Sequence, residues 1–263
     1  MLSLSLFHSR TFSGANLLTL FLYAALGGAL FFVPFNLIQV QGYSPTAAGA
    51  ALLPLILIMF LLSRWSGGLV DRYGAKLPLI IGPIIAAIGF ALFAVPGVGG
   101  SYWTTFFPAA VVLGLGMAIS VAPLTTAVMG AVESRHAGEA SGINNAVSRT
   151  AGLLAIAVLG IFVVAAFSSS LTSHLAALNL SPAIQQAINS QSSRLVSIQI
   201  PGGLSSATHM LIQQAINEAF VAGFRLAMLI AAGLALLSAV SAAILIEGKK
   251  VSVREDAVSS SKV

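Results

Sequence analysis

In the stretch GGLVDRYGAK, residues 67–76, Asp71, Arg72 and Lys76 fall within six positions of one another. Residues 11–63 before it and 77–132 after it contain no Asp, Glu, Lys or Arg. Gly74 suits a left-handed position that ends a helix. Arg72 and Lys76 suit a helix C-terminus, where the backbone dipole is negative. Asp71 does not: a carboxylate there needs a positive partner, a basic side chain or the N-terminus of another helix. On local grounds a solvated turn acid is the alternative. A second polar group is Asn144, Asn145 and Arg149. Asn145 and Arg149 are four residues apart and share a helix face, as do Asn144 and Ser148. Arg149 stands six residues past Ile143, about 9 Å along a helix axis, so it either anchors a gate, compensates a carboxylate or snorkels to headgroups.

Other chemistry is thinly supplied. The chain has no cysteine, and His8, His136, His174 and His209 are too dispersed for a metal site. It carries no P-loop, dinucleotide fingerprint, nucleophile elbow or zinc motif, so neither an enzyme nor a cofactor is expected. The seven acids are Asp71, Glu133, Glu139, Glu218, Glu247, Glu255 and Asp256. All are expected in loops, at helix ends or in the tail, which leaves no carboxylate to titrate at a bilayer midplane. Arg225, seven residues after Glu218, is expected to snorkel or to pair with it.

The elements that hold these residues follow from composition. The 263 residues are 57% hydrophobic and 7% charged, whereas soluble domains are about a quarter charged. The chain is therefore an all-α integral membrane protein, and the lipid bilayer is its first partner. Six runs are long enough to span it: 15–40, 46–70, 77–96, 103–132, 140–167 and 218–246. Each must be helical, because unpaired backbone groups are not tolerated in lipid. The net charge of +5 resides in scattered basic residues that look like topology determinants, not a nucleic-acid face. Arg10, Arg64, Arg72, Lys76, Arg135, Lys249, Lys250, Arg254 and Lys262 fall on one side, and the turns 41–46 and 97–102 hold none. Both termini are thus expected in the cytoplasm, with Trp65 and Tyr73 at the inner interface and Tyr43, Tyr102 and Trp103 at the outer one. No cleaved signal peptide is expected. The expected organisation is a cytoplasmic segment 1–14, helices one to five over 15–167, an outer segment 168–217, helix six over 218–246 and a cytoplasmic tail 247–263. In the outer segment Ser181 and Pro182 are a helix N-cap and first position. That amphipathic helix either lies on the surface or forms a lid.

At the opening stretch the chain resembles the major facilitator superfamily. Gly67, Leu69, Asp71, Arg72, Gly74 and Lys76 match its loop signature G-x-L-x-D-R-x-G-x-K, departing at Ala75, where a second basic residue is common. Residues 6–54, 122–160 (with a G-x-A-S-G-x-x-N run) and 219–236 resemble the C-terminal half of the fourteen-helix drug:proton antiporters. The resemblance implies one 3+3 half of a major-facilitator fold and alternating access between two halves, with substrate near the midplane between them. Helices one and four would line the cavity, and helices three and six would face lipid. The loop would be an inner-gate latch whose acid docks on the other half.

The candidate cavity residues are Phe31, Phe32, Asn36 and Gln39 of helix one and Met117 and Ser120 of helix four. Adaptable aromatic and Met walls suit amphipathic or cationic substrates, although each of these residues also suits plain packing. Gly27, Gly28, Gly114 and Gly116 are read as close helix contacts. The functional expectation is proton-coupled efflux, with the proton site and the N-terminal half outside this chain. A half-size transporter acting as a homodimer, and a non-transporting scaffold or sensor, are the competing readings.

Overall fold

A serine marks the start of several helices here, and its hydroxyl explains why. Ser9, Ser44 and Ser205 each accept a hydrogen bond from the backbone N–H three residues on, at 3.3, 3.2 and 3.1 Å, replacing a partner that a helix's first turn lacks. The computed structural model describes residues 4–178 and 180–248. Its α-helices are α1 Arg10–Gln39, α2 Pro45–Ala50, α3 Leu53–Tyr73, α4 Lys76–Phe93, α5 Phe106–Gly130, α6 Ala137–Ala177, α7 Pro182–Asn189 and α8 Ser206–Leu245. Short 3-10 turns occupy Leu4–His8, Ser134–His136 and Ser192–Ser197. No strand occurs among the described residues. Among the described residues, six segments are long and apolar enough to cross a membrane, with α2 and α3 together making the second. The chain is an all-α, multi-pass membrane protein. Lys249, Lys250, Arg254 and Lys262, and most of the expected tail, lie outside the described residues.

Three boundaries differ from expectation, each for a local reason. The second run is broken at Ala51–Leu52, because Pro54 cannot donate to the carbonyl four residues back and its ring crowds that position. α6 continues past 167 to Ala177, and α8 begins at Ser206 instead of 218. These extensions are too polar to read as spanning runs, yet they carry a buried seam. Phe167, Leu171 and Leu175 of α6 recur every fourth residue, and Ile212, Ala215, Ile216 and Ala219 of α8 are buried too. The expected outer segment thereby shrinks to a link over 178–205. Within it α7 starts at Ser181–Pro182 as expected, although the serine makes no side-chain cap. α7 and the Ser192–Ser197 turn pack on α6, with Ile188 and Ile198 buried.

The helices follow a two-fold plan. α1 packs on α6 and α8, α5 packs on α3 and α4, and α4 and α8 pack on each other. Exchanging α1 with α5, α3 with α6 and α4 with α8 returns the same set of neighbours, which is the signature of two three-span repeats. Glycines permit the closest approaches. A Cβ on Gly116 would strike the backbone of Ala86 in α4, and one on Gly27 would lie 2.6 Å from Cα of Gly152 in α6. In lipid such close packing, not hydrophobic expulsion, holds helices together. One departure from the plan is large: α6 and α8 pack along each other, whereas α3 and α4 barely touch. Only Leu55 and Ser66 of α3 are buried.

At the end opposite the GGLVDRYGAK turn, side chains tie the connections down. Gln41 donates through Nε2 to the Gly97 carbonyl at 2.8 Å, and its Oε1 accepts from the Gly99 N–H at 2.9 Å. The Tyr102 hydroxyl donates to the Ala51 carbonyl at 2.8 Å. Burial, and then the neighbouring Tyr43, push the Tyr102 phenol above its ordinary range, so it remains a donor.

Candidate functional site

The turn between α3 and α4 brings the charged cluster together at the end where α1 starts and α8 finishes, called here the basic end. Asp71 and Arg72 lie in the last turn of α3, and both are exposed. The Arg72 guanidinium stands 5.3 Å from the centroid of the Tyr73 ring, a cation–π distance. Asp71 takes part in an interaction within this chain. Gly74 closes the helix, its N–H donating to the Val70 carbonyl at 2.9 Å. Its φ is positive as expected, but the pair φ 75°, ψ 170° lies beyond the left-handed helix, in a region essentially restricted to glycine. Lys76 is the first residue of α4. Gly67 lies in α3, where an added Cβ would meet open space. Arg64, Trp65, Gly68, Arg72 and Tyr73 line a shallow groove of about 670 Å³ along this bare face. Aromatic rings and guanidinium groups at one level suit a headgroup boundary or the end of another helix.

Asn144 and Asn145 are separated by the structure. Asn144 turns into the bundle, its Nδ2 donating to Thr19 Oγ1 at 2.6 Å and to Asn16 Oδ1 at 3.3 Å on α1. Ser148, which shares its face in sequence, instead donates to the Asn145 carbonyl at 2.9 Å. Asn145 and Arg149 are exposed on α6. Beside them, Tyr23, Thr125, Ser141, Asn144, Asn145 and Ser148 surround a polar recess of about 160 Å³ between α1, α5 and α6. Thr19 and Asn16 are the partners that sequence reasoning missed. Thr19 in turn donates to the Ala15 carbonyl, and Asn16 to the Phe12 carbonyl, so their local bonds orient the oxygens that receive Asn144.

The expected cavity residues divide. Phe32, Asn36, Met117 and Ser120 are buried among the helices of this chain, where they present almost no surface to a cavity. Ser120 donates to the Gly116 carbonyl at 2.7 Å, and Asn36 Oδ1 accepts from Gln41 at 3.3 Å. For these four the packing alternative describes the position found. Phe31 and Gln39 are exposed. The recess that does open on this surface lies between α1, α3 and α5, about 540 Å³ in volume. Leu30, Leu55, Ile56, Met59, Phe60 and Val121 are among its walls, with Ser63 as the polar contribution. Met59 and Phe60 contribute a thioether and an aromatic ring to these walls. A uniformly apolar run offers no periodicity to reveal which of its faces stays uncovered.

At the opposite end, Arg225 does not pair with Glu218. Its Nη2 points to the Val95 carbonyl at 3.4 Å, while Glu218 faces His174 of α6. Glu218 lies well inside α8, not at its start.

Residues 2–156 match the Major Facilitator Superfamily profile. The tetracenomycin C resistance and export protein of Streptomyces glaucescens is 28% identical over 247 residues, covering 91% of this chain and 45% of that protein. The multidrug resistance protein Stp of Mycobacterium tuberculosis is 31% identical over 180 residues, covering 66% of this chain and 32% of its own. In fold, the chain is similar to a bacterial homologue of the human lysosomal transporter Spinster, solved inward-facing and unoccupied. That likeness has a TM-score of 0.58 at 18% identity and covers 91% of this chain and 50% of the other. The chain spans about half or less of the length of these relatives.

Proposed function

The chain belongs to the Major Facilitator Superfamily, a family of membrane transporters and not of enzymes, and on that premise we propose that it forms the C-terminal half of a fourteen-helix drug:proton antiporter. The reading is efflux of amphipathic or cationic small molecules across the cell membrane by alternating access, with the basic end and both termini in the cytoplasm. The observation that carries it is α3. This helix has almost no buried residues, borders the 540 Å³ apolar recess on one side and ends in the Asp71–Arg72 turn. A helix so placed supports a role in which a second half closes over it, substrate enters between the halves, and the turn latches the closed state. Substrate would meet Phe31, Met59 and Phe60 in place of the buried Met117 and Ser120. Asn144, held on α1, would brace the basic end while Arg149 faces outward. Among the described acids, Asp71, Glu133, Glu139 and Glu247 lie at or next to helix ends and Glu218 lies inside α8 toward the end opposite the gate turn, so we assign the proton that drives export to a carboxylate in the complementary half. That half is an N-terminal segment encoded with this one, or a second copy of the chain.

The test is accumulation of fluorescent amphipathic cations in cells expressing the chain with any transmembrane segment encoded beside it, compared with the chain alone. Lowered accumulation that collapses with the proton gradient supports the reading. Unchanged accumulation across several substrate classes in both arms would refute it. Export by the isolated chain, with a dimer trapped by cross-linking between two copies of α3, would select the homodimer.

A further inference from the structure

Away from the gate turn and the apolar recess, the fold brings together two titratable side chains from different helices. Nε2 of His174 on α6 and Oε2 of Glu218 on α8 are 3.2 Å apart. Gln214, one turn before Glu218, donates to its Oε1 at 2.9 Å. On its other side the imidazole is fixed by its own helix: Nδ1 lies 2.8 Å from the Ser170 carbonyl oxygen and 3.3 Å from the Ser170 hydroxyl. The pair borders a pocket of about 510 Å³ between α6, α8 and the turn after α4.

These distances set a proton count. A carbonyl oxygen can only accept, so the 2.8 Å contact requires a proton on Nδ1. In a neutral imidazole this leaves Nε2 as a bare lone pair, and an ionised carboxylate is also an acceptor only. Two acceptors at 3.2 Å repel each other. The approach is favourable only with a further proton between them, on Nε2 or on the carboxyl group. We therefore propose that His174 and Glu218 form a proton-binding site that fastens α6 to α8 at the end opposite the gate turn.

The neighbouring groups do not supply another donor for this contact. The turn after α4 contributes Gly97 and Val98 to the pocket, and Tyr102 of the same turn donates to Ala51. Arg225 lines the same pocket but directs its Nη2 to the Val95 carbonyl, and Arg194 of the Ser192–Ser197 turn is directed to Gln191, each at 3.4 Å. α7 and the interior of α4 contain no ionisable side chain. Binding adds one proton from the water at that end, and release returns it, with no other bond made or broken. Release leaves the imidazole lone pair against the carboxylate, so the two side chains part and the pocket widens at that end, while the buried seam of Phe167, Leu171 and Leu175 keeps the helices packed. The site deepens the transport reading by adding a proton switch distinct from the coupling carboxylate assigned to the other half. Its test reads a distance and not transport, so the two can fail separately.

Because the chain has no cysteine, spin labels can be placed cleanly by Ser173→Cys and Leu211→Cys, both at exposed positions. The full chain in lipid nanodiscs is measured from about pH 5 to about pH 8, across which an imidazole changes charge. The expected result is a narrow distance distribution at low pH that lengthens and broadens as the pH rises. In Glu218→Gln the response should be lost with the distribution narrow throughout, since the amide donates to a neutral imidazole. A wild-type distribution independent of pH would overturn the proposal, as would a response that survives Glu218→Gln. Should the variant fail to insert, nitrogen NMR of the wild-type histidines decides. An Nε2 of His174 that is neither protonated nor hydrogen-bonded at the acid end overturns the site.

Discussion

α3 and α6 hold equivalent places in the two repeats, yet they are treated in opposite ways. α6 is pinned on every side available to it: Gly152 against Gly27, Asn144 on Thr19, Val163 against Gly223, and the Phe167–Leu171–Leu175 seam against α8. α3 leans on α5 and is otherwise bare, ending in a charged turn with a glycine-only backbone. Two helices of one plan thus contrast a repeat helix that its own chain packs with one that its own chain leaves largely bare. The apolar surface of α3 is tolerable in lipid, where Leu costs nothing to expose, but its Arg64 and Arg72 gain from polar surroundings.

Five substitutions, the last extended to a double-mutant cycle, break or sharpen that contrast. The largest effect is expected in the shared scaffold. Gly116→Leu forces a side chain into the Ala86 backbone and should lower stability in detergent unfolding by about 3 kcal/mol. Gly67→Ala on the bare helix, where space is open, should change it by less than about 0.5 kcal/mol. Equal losses at both would erase the contrast. Next, Asp71→Asn removes a charged hydrogen-bonding group, an effect of about 1.5–3 kcal/mol, and should reduce transport roughly tenfold or more while insertion is unchanged; wild-type export by this variant would end the latch assignment. Gly74→Ala places a side chain at φ 75° and should cost about 1–2 kcal/mol, read as a lowered melting temperature. Smallest is Asn144→Ala, with an expected loss of about 0.6 kcal/mol, the mean for hydrogen bonds between membrane helices. A double-mutant cycle with Thr19→Ala should return most of that value as coupling, and zero coupling would mean that the contact carries no energy.

Composition made the six spans legible, since a run without charges has few other fates, and the turn signature placed the charged cluster at a helix junction. The extensions of α6 and α8 were hidden by Ser168, Ser169, Ser170, Thr172 and His174, which break the apolar run without breaking the helix. The cue was the fourfold spacing of Phe167, Leu171 and Leu175, a soluble-type pattern that a search for spanning runs passes over. Asn144 and Asn145 are adjacent, and nothing local says which turns inward; the choice is made by Thr19 and Asn16, more than a hundred residues away. Met117 is buried for a related reason. In an all-apolar helix the face that ends up buried is chosen by glycines on the neighbour, here Gly82 and Gly89 of α4.

The Gln41 side chain presents one donor and one acceptor to the Gly97–Gly99 backbone, as a peptide unit does in a rung of β-ladder. The turn just after α1 and the loop joining α4 to α5 are therefore spliced by a counterfeit strand one residue long. Glycines at 97, 99 and 100 give that loop its compliance, and the amide takes it away at a single point. In mechanical terms α1 has no independent hinge at that end: a force tilting it is passed to α4 and α5 through the two bonds of one amide. Replacing it with an isosteric carboxylate would keep the shape, lose the donor and cut the direct link from α1 to that loop, leaving α1 held at that end by its packing on α6 and α8.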